Sequence, residues 1–265
     1  MGFEAITYEV IDEIGVLTIN RPKQRNALDL DMRMEIQEVL LQIRQDVDIR
    51  ALVLTGAGGY FCAGGDVKSV QQMPKESTIR RERVRKTHIW FEELANLEVP
   101  VIGAVDGVAF GAGFSLTLAC DFVFCTPKAR FCAVFMRSGL IPDLGCLYLL
   151  PRLVGLQKAR EILYTAKIIK PEEAKELGLA YEIVEDEPVL DKAMAFARRF
   201  LDAPPAALGI TKTILNQSLH TDHKTISELE SFGQAVCIDT PYYREAISRF
   251  IDKKPALYNW EKYTD

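Results

Sequence analysis

The chain has 265 residues, 48% of them hydrophobic and 26% charged, with a formal net charge of -5, a length that fits one large domain, or one domain with a helical appendage, around a substantial core. No stretch approaches the roughly 20 consecutive apolar residues of a membrane helix, and the acidic balance without any Lys/Arg-rich block leaves no nucleic-acid footprint. The acidic start MGFEAITYEVIDE lacks the basic-then-apolar pattern of a secretory signal, so a soluble protein of a cytoplasmic or matrix-like compartment is expected, with no membrane or nucleic-acid partner.

In chain order, ITYEVIDEIGVLTINRP sets two alternating apolar runs around Asp12-Glu13-Ile14-Gly15, which predicts a β-hairpin. Asp29 is placed to cap a helix, with Leu28, Met32, Ile36, Val39, Leu40 and Ile43 as its buried stripe. The continuous apolar runs Ala51–Gly56 and Val99–Gly107 end in glycine, as strands covered on both faces do. The stretch between them is polar and helix-compatible; it holds His88 and Trp90, and its basic run IRRERVRK (Ile79–Lys86) reads as a solvated helix face. Strands are expected again over Asp121–Pro127 and Ala129–Val134, an alternation that argues for α/β layering with right-handed crossovers.

From Leu144 onward the pattern is helical. Pro171–Gly178 has Pro at a first helical position and Gly at its end. Amphipathic segments starting at Asp191, Thr211, Lys224 and Tyr243 follow, with Pro204-Pro205 as a break. This divides the chain into an α/β core over residues 1–200 and a helical region over 201–265. The six cysteines, Cys62, Cys120, Cys125, Cys132, Cys146 and Cys237, have no CxxC spacing and are expected as reduced core thiols. Of the three histidines, His220 and His223 form an HTDH pair with no third ligand nearby, so no metal site is expected.

Two glycine-rich turns follow strands, Thr55–Val70 and Asp106–Phe122, where backbone N–H groups can face a bound anion or carbonyl oxygen. Neither is a nucleotide loop: Gly111-Ala112-Gly113 has no third glycine, and no GK[ST] follows. The segments NRPKQRNAL (Asn20–Leu28), YFCAGGDVK (Tyr60–Lys68), AVDGVAFGAGFSLTLACDF (Ala104–Phe122) and GLIPDLGC (Gly139–Cys146), in this order and spacing, resemble the enoyl-CoA hydratase/isomerase (crotonase) family over nearly the whole chain.

That resemblance implies a crotonase-like spiral of ββα units with a C-terminal helical region that mediates homotrimers, paired into homohexamers. It further implies an acyl-CoA thioester as substrate, in the chemistry of fatty-acid metabolism, with no cofactor beyond the coenzyme A it carries. By matching position, the amides of Gly65 and Ala112 form an oxyanion hole for a thioester enolate. Lys23, Arg25, Ala63, Val67 and Lys68 lie at or beside the coenzyme, Asp66 holds the turn, and Phe250 and Lys253 on the last helix close the pocket of a neighbouring subunit. The two carboxylates of the family's hydratases are replaced by Ser115 and Phe135, neither able to carry the proton.

Asp143 supplies the acid instead, as in members that resemble isomerases. Asp after Pro and before an apolar periodic run is also a good helix cap, so both roles stand open. As a base, Asp143 is expected to be buried beside Ile141, Pro142, Leu144 and Leu147, with its pKa raised, and Phe135 walls water out. Asp121 reads as a strand-start cap, and Glu161 lies on a later helix. The primary expectation is an enoyl-CoA isomerase. A hydratase using Ser115, Asp143 and ordered water, an aryl-CoA dehalogenase with His88 as base, and a non-catalytic binding scaffold are the alternatives.

Overall fold

The computed structural model describes residues 2–71 and 75–263. The hairpin forms from β1 (Ile6–Ile11) and β2 (Ile14–Ile19), turning through Asp12 and Glu13, both at positive φ. Helix α1 (Leu30–Gln45) follows; the Asp29 carboxylate accepts from the Met32 N–H at 2.9 Å, and the expected stripe is buried. Then come β3 (Ala51–Gly56), α2 (Val67–Gln71), α3 (Ser77–Ala95), β4 (Val101–Val105), β5 (Val108–Phe110), α4 (Ala112–Leu118), β6 (Phe122–Cys125) and β7 (Arg130–Cys132). The rest is α5 (Cys146–Val154), α6 (Leu156–Thr165), α7 (Pro171–Glu176), β8 (Glu182–Ile183), α8 (Val189–Arg198), α9 (Pro205–Ser218), α10 (His223–Ile238) and α11 (Pro241–Ile251).

The main sheet has the order β1-β2-β3-β4-β6-β8, antiparallel only between β1 and β2. Alternation along each strand divides two cores. Leu17, Ile19, Leu52, Leu54, Val101 and Val105 face α1 and α3, while Val16, Val53, Ile102 and Ala104 face α8. Both faces are thus covered, which is why these strands read as continuous apolar runs.

The sequence reading needs one correction here. Val99–Gly107 is not one strand: the chain turns at Asp106 and Gly107, whose φ is +65°, and resumes as β5. A Cβ at Gly107 would lie 2.2 Å from the Gly59 carbonyl oxygen, so only glycine fits. The strand expected over 129–134 forms as β7, which pairs in parallel with β5 in a second, two-stranded sheet. That small sheet, with the bridges Cys62↔Ala109 and Leu28↔Gly65, stacks successive chain turns beside the main sheet and brings the glycine-rich turns together.

Pro205 opens α9 as its first residue, so that helix begins six residues before the expected Thr211. Lys212 ties it to the core, its ammonium donating to the Asp121 carboxylate at 2.6 Å and to the Val99 carbonyl at 3.1 Å. Asp121 also accepts from the Val101 N–H at 2.7 Å, the strand-start role expected of it. All six cysteines are free; Cys62, Cys125, Cys132 and Cys146 are buried, Cys120 and Cys237 half-buried. Among the described residues no helix is long and apolar enough to cross a membrane, and no group of three or more His, Cys, Asp and Glu could hold a metal ion.

Candidate active site

The two glycine turns meet edge to edge. The Cys62 N–H donates to the Val108 carbonyl and the Phe110 N–H to the Cys62 carbonyl, both at 2.9 Å. Contact is so close that a Cβ at Gly113 would lie 2.1 Å from the Cys62 carbonyl oxygen, and one at Gly64 would lie 2.9 Å from that of Phe110. Gly64, at φ +104°, turns the chain so that its carbonyl accepts from Leu28 at 2.7 Å. Gly65 follows on the exposed side, and its N–H donates to no described backbone group. Ala112 is the first residue of α4 and its N–H is likewise free of a backbone partner, as helix-opening amides are.

The loop before α1 is locked onto these turns by two side chains that sequence reasoning passed over. Asn26 is fully buried; its carbonyl oxygen accepts from the Arg21 N–H at 2.9 Å, and its amide donates to Ala57 at 2.9 Å and Tyr60 at 2.6 Å. Arg21 pairs with Asp29 at 2.9 Å and Asp66 at 3.3 Å and donates to the Ala27 carbonyl at 2.7 Å. Asp66 also accepts from the N–H groups of Lys68 at 3.0 Å and Ser69 at 3.4 Å. Burial pushes its carboxyl up, but the Ser69 amide and the Arg21 guanidinium outweigh that and hold it below the ordinary range. Asp66 is therefore spent on the turn. The signal for this lock lay in NRPKQRNAL, whose Arg21 and Asn26 side chains reach beyond the loop to Asp66, Ala57 and Tyr60.

Asp143 does not cap α5. Gly145 occupies the cap position without a side-chain hydrogen bond, and Leu144 between them is at φ +47°. The Asp143 main chain is held instead: its carbonyl accepts from the Ser115 hydroxyl at 3.0 Å and from the Cys146 N–H at 3.1 Å. The carboxyl is left with Oδ1 buried and unpartnered. Burial pushes its pKa above the ordinary value, opposed by the charges of Arg33 and His88.

The neighbours that bury Asp143 are not all the expected ones. Pro142 and Leu144 are buried, but Ile141 is 74% and Leu147 53% exposed. Helices α3 and α1 stand beside this segment: Phe91 of α3 presses so closely on Gly145 that a Cβ there would lie 2.5 Å from its ring, and His88 of α3 and Arg33 of α1 act on Asp143 by charge.

The remaining residues divide plainly. Phe135 is buried in the 3-10 turn Val134–Ser138 that leads to Asp143. Ser115 is fully buried, with its hydroxyl given to the Asp143 carbonyl, so it supports the acid and has no surface to offer a ligand. Lys23, Arg25, Val67 and Lys68 are exposed at the mouth of the AGGDVK turn, Ala63 is half-buried, and Arg25 lies 5.8 Å from the Tyr60 ring centroid. Phe250 and Lys253 are not brought to this site: both are exposed at the end of α11, where Phe250 lines a separate cavity of about 270 Å³ with Tyr242, Ala246 and Tyr258. The basic run of α3 is not wholly solvated, since Arg83 turns inward and donates to the Ser69 hydroxyl at 2.9 Å.

The family model for enoyl-CoA hydratase/isomerase matches residues 9–262. This chain belongs to the enoyl-CoA hydratase/isomerase family. Its similarity to curated members is distributed between activities. It is 32% identical to the crotonyl-CoA hydratase of Syntrophomonas wolfei, over 97% of this chain and 99% of that protein. It is 35% identical to the 1,2-epoxyphenylacetyl-CoA isomerase of Escherichia coli, over 95% and 97% respectively. Among solved structures, an enoyl-CoA hydratase/isomerase from Cupriavidus metallidurans superimposes with a TM-score of 0.92 at 38% identity, covering 98% of this chain and 97% of that one. The fold is crotonase-like, and the protein is an enzyme of this family acting on CoA thioesters.

Proposed function

We propose that this family member shifts a double bond within an enoyl-CoA thioester by proton transfer through Asp143. The observation that carries the reading is the state of that carboxyl: half-buried, with Oδ1 out of solvent and unpartnered and its pKa raised, and with its main chain held by Ser115 and Cys146. A carboxylate committed to a cap or an ion pair is a poor base; this one has an open lone pair and a raised affinity for a proton. In its ionised form Asp143 takes a proton from one carbon of the acyl chain, and the electron pair moves into the conjugated thioester as its carbonyl oxygen becomes an enolate oxygen. The same carboxylic acid returns the proton to a different carbon, so the double bond has moved and no water is consumed.

In this reading the amides of Gly65 and Ala112 receive the enolate oxygen. Both are free of backbone partners and stand on turns in direct contact, and preorganised donors of this kind contribute roughly 3 kcal/mol each to the transition state. The exposed Lys23, Arg25 and Lys68 serve the coenzyme phosphates, with the backbone of Ala63 and Val67 beside them. Phe250 and Lys253, remote from this site in the same chain, act on a neighbouring subunit's ligand within a homotrimer or a hexamer of two trimers.

Phe135, buried where a hydratase acid would stand, keeps the pocket dry and favours isomerisation over hydration. Water positioned by Ser115 is disfavoured because the hydroxyl proton is already donated. One observation favours a second reading, dehalogenation of an aryl-CoA: His88 is near enough to act on the charge of Asp143, so a base and a nucleophile stand together. The deciding experiment is deuterium exchange into a 3-enoyl-CoA. Asp143→Asn should abolish it while coenzyme A ester binding persists, and exchange at the wild-type rate rejects the proposal. Halide release from a 4-halobenzoyl-CoA, or rapid hydration of crotonyl-CoA, would replace it with the corresponding alternative.

A further inference from the structure

Arg33, on α1, has a cation that the reaction above does not use. Its side chain is half-buried; one terminal nitrogen donates to the Thr87 hydroxyl at 2.9 Å, while Nε is buried with no acceptor. Among the described residues it forms no ion pair, because Asp29 and Asp66 are both taken by Arg21. Its other terminal nitrogen lies 3.9 Å from where a Cβ on Gly65 would sit, placing the guanidinium against the turn that presents the Gly65 amide. Arg83 is near enough to act on it unfavourably, and Asp143 and Asp29 favourably. Arg83 makes its hydrogen bonds to Ser69, again with no described carboxylate in an ion pair. Two guanidinium groups thus stand near the Gly65 turn with neither in an ion pair to Asp143, and Asp143 must itself become protonated during turnover. A half-buried cation held in no ion pair, with a buried Nε that has no acceptor, is costly unless something that binds there supplies a partner.

Resting on the reading that Gly65 and Ala112 hold the thioester, we propose that Arg33 is a specificity-determining residue that pairs with a carboxylate on the acyl group, so that the preferred substrates are monothioesters of dicarboxylic acids. A planar guanidinium oriented by a neutral hydroxyl keeps donors free for a bidentate carboxylate, a fit that an ammonium would not reproduce. Thr87 fixes the fork: its hydroxyl donates to the Arg83 carbonyl at 3.0 Å and accepts from Arg33.

The test uses two saturated esters that cannot undergo the double-bond shift, glutaryl-CoA and valeryl-CoA, which have the same chain length and differ in the terminal carboxylate. Titration calorimetry on the full-length protein should give glutaryl-CoA an advantage of about tenfold or more. Arg33→Met should remove that advantage and leave valeryl-CoA binding within about twofold. Thr87→Val, which keeps the cation and loosens its aim, should reduce the advantage and serves as the probe if Arg33→Met does not fold. Equal wild-type affinity for both esters, or equal losses for both in the variants, overturns the Arg33 assignment while leaving the thioester site standing. Failure of the wild-type protein to bind either ester overturns both.

Discussion

Replacing Gly113 by alanine tests whether the contact between the glycine turns sets the spacing of the two proposed enolate donors. The added Cβ would fall 2.1 Å from the Cys62 carbonyl oxygen and 2.9 Å from both the Cys62 carbonyl carbon and its Cβ. Ordinary contact begins at 3.4 Å, so the turns must separate by about 1 Å, and backbone on both sides leaves no flexible side chain to yield. Gly113 directly follows Ala112, and Cys62 precedes Gly65 by three residues, so the displacement opens the gap between the two amides. Overpacking of this kind costs about 1–3 kcal/mol of stability, and each kcal/mol lowers Tm by roughly 2–4 °C in a chain of this size. A misplacement of about 1 Å lowers the rate of the chemical step by about a hundredfold. Thermal unfolding followed by circular dichroism, beside single-turnover deuterium exchange at a temperature well below both melting points, separates the two effects. A Gly113→Ala protein that exchanges within about threefold of the wild-type rate would refute the reasoning, because donors that tolerate such an opening are not the ones stabilising the enolate.

Four further outcomes are expected. Asp143, with its folded pKa raised by burial, must be ionised to act as base, so kcat/KM should fall as pH drops through an apparent pKa above that of an ordinary aspartate, a limb that Asp143→Asn removes. Because the folded state binds that proton more tightly than the unfolded chain, the group's effect on stability worsens as pH rises from the unfolded through the folded value; melting at several pH values should show Asp143→Asn gaining on wild type toward neutral pH. Ser115→Ala removes the hydroxyl donor to the Asp143 carbonyl; with a net hydrogen-bond worth of about 1 kcal/mol, kcat should fall severalfold with KM unchanged, and an equal rise in KM would deny the positioning role. Asn26→Ala strips partners from Arg21, Ala57 and Tyr60 at a fully buried position and should cost about 2–4 kcal/mol, read as a lower denaturant midpoint at unchanged slope.

Local pattern made much of this architecture readable. The strand Ala51–Gly56, the Asp29 cap and the helix opened by Pro171 express short-range rules, and each appears where its residues put it. The close approach of the two glycine turns was legible only as glycine density; that Gly113 needs its missing Cβ because of Cys62, fifty-one positions away, is a tertiary fact. Asp143 shows the same limit from the other side. Proline before it and apolar periodicity after it spell a cap, yet Gly145 stands at the cap position, Leu144 is at positive φ and Ser115 holds the main-chain carbonyl. Arg33 left no trace at all, since on a helix with an apolar stripe an arginine between two methionines reads as solvent-facing, and only the packing of α3 encloses it.

The way Asp143 is held has a consequence for how this enzyme can change over generations. Its anchors, the Ser115 hydroxyl and the Cys146 N–H, both grip the peptide carbonyl, which every amino acid has. The carboxyl's own hydrogen bond goes to its own backbone N–H, and Arg33 and His88 act on it by charge alone. Position 143 is therefore a socket whose contents can be exchanged without rebuilding the wall around it, and a point substitution there alters what the pocket does to a bound thioester long before it alters whether the chain folds.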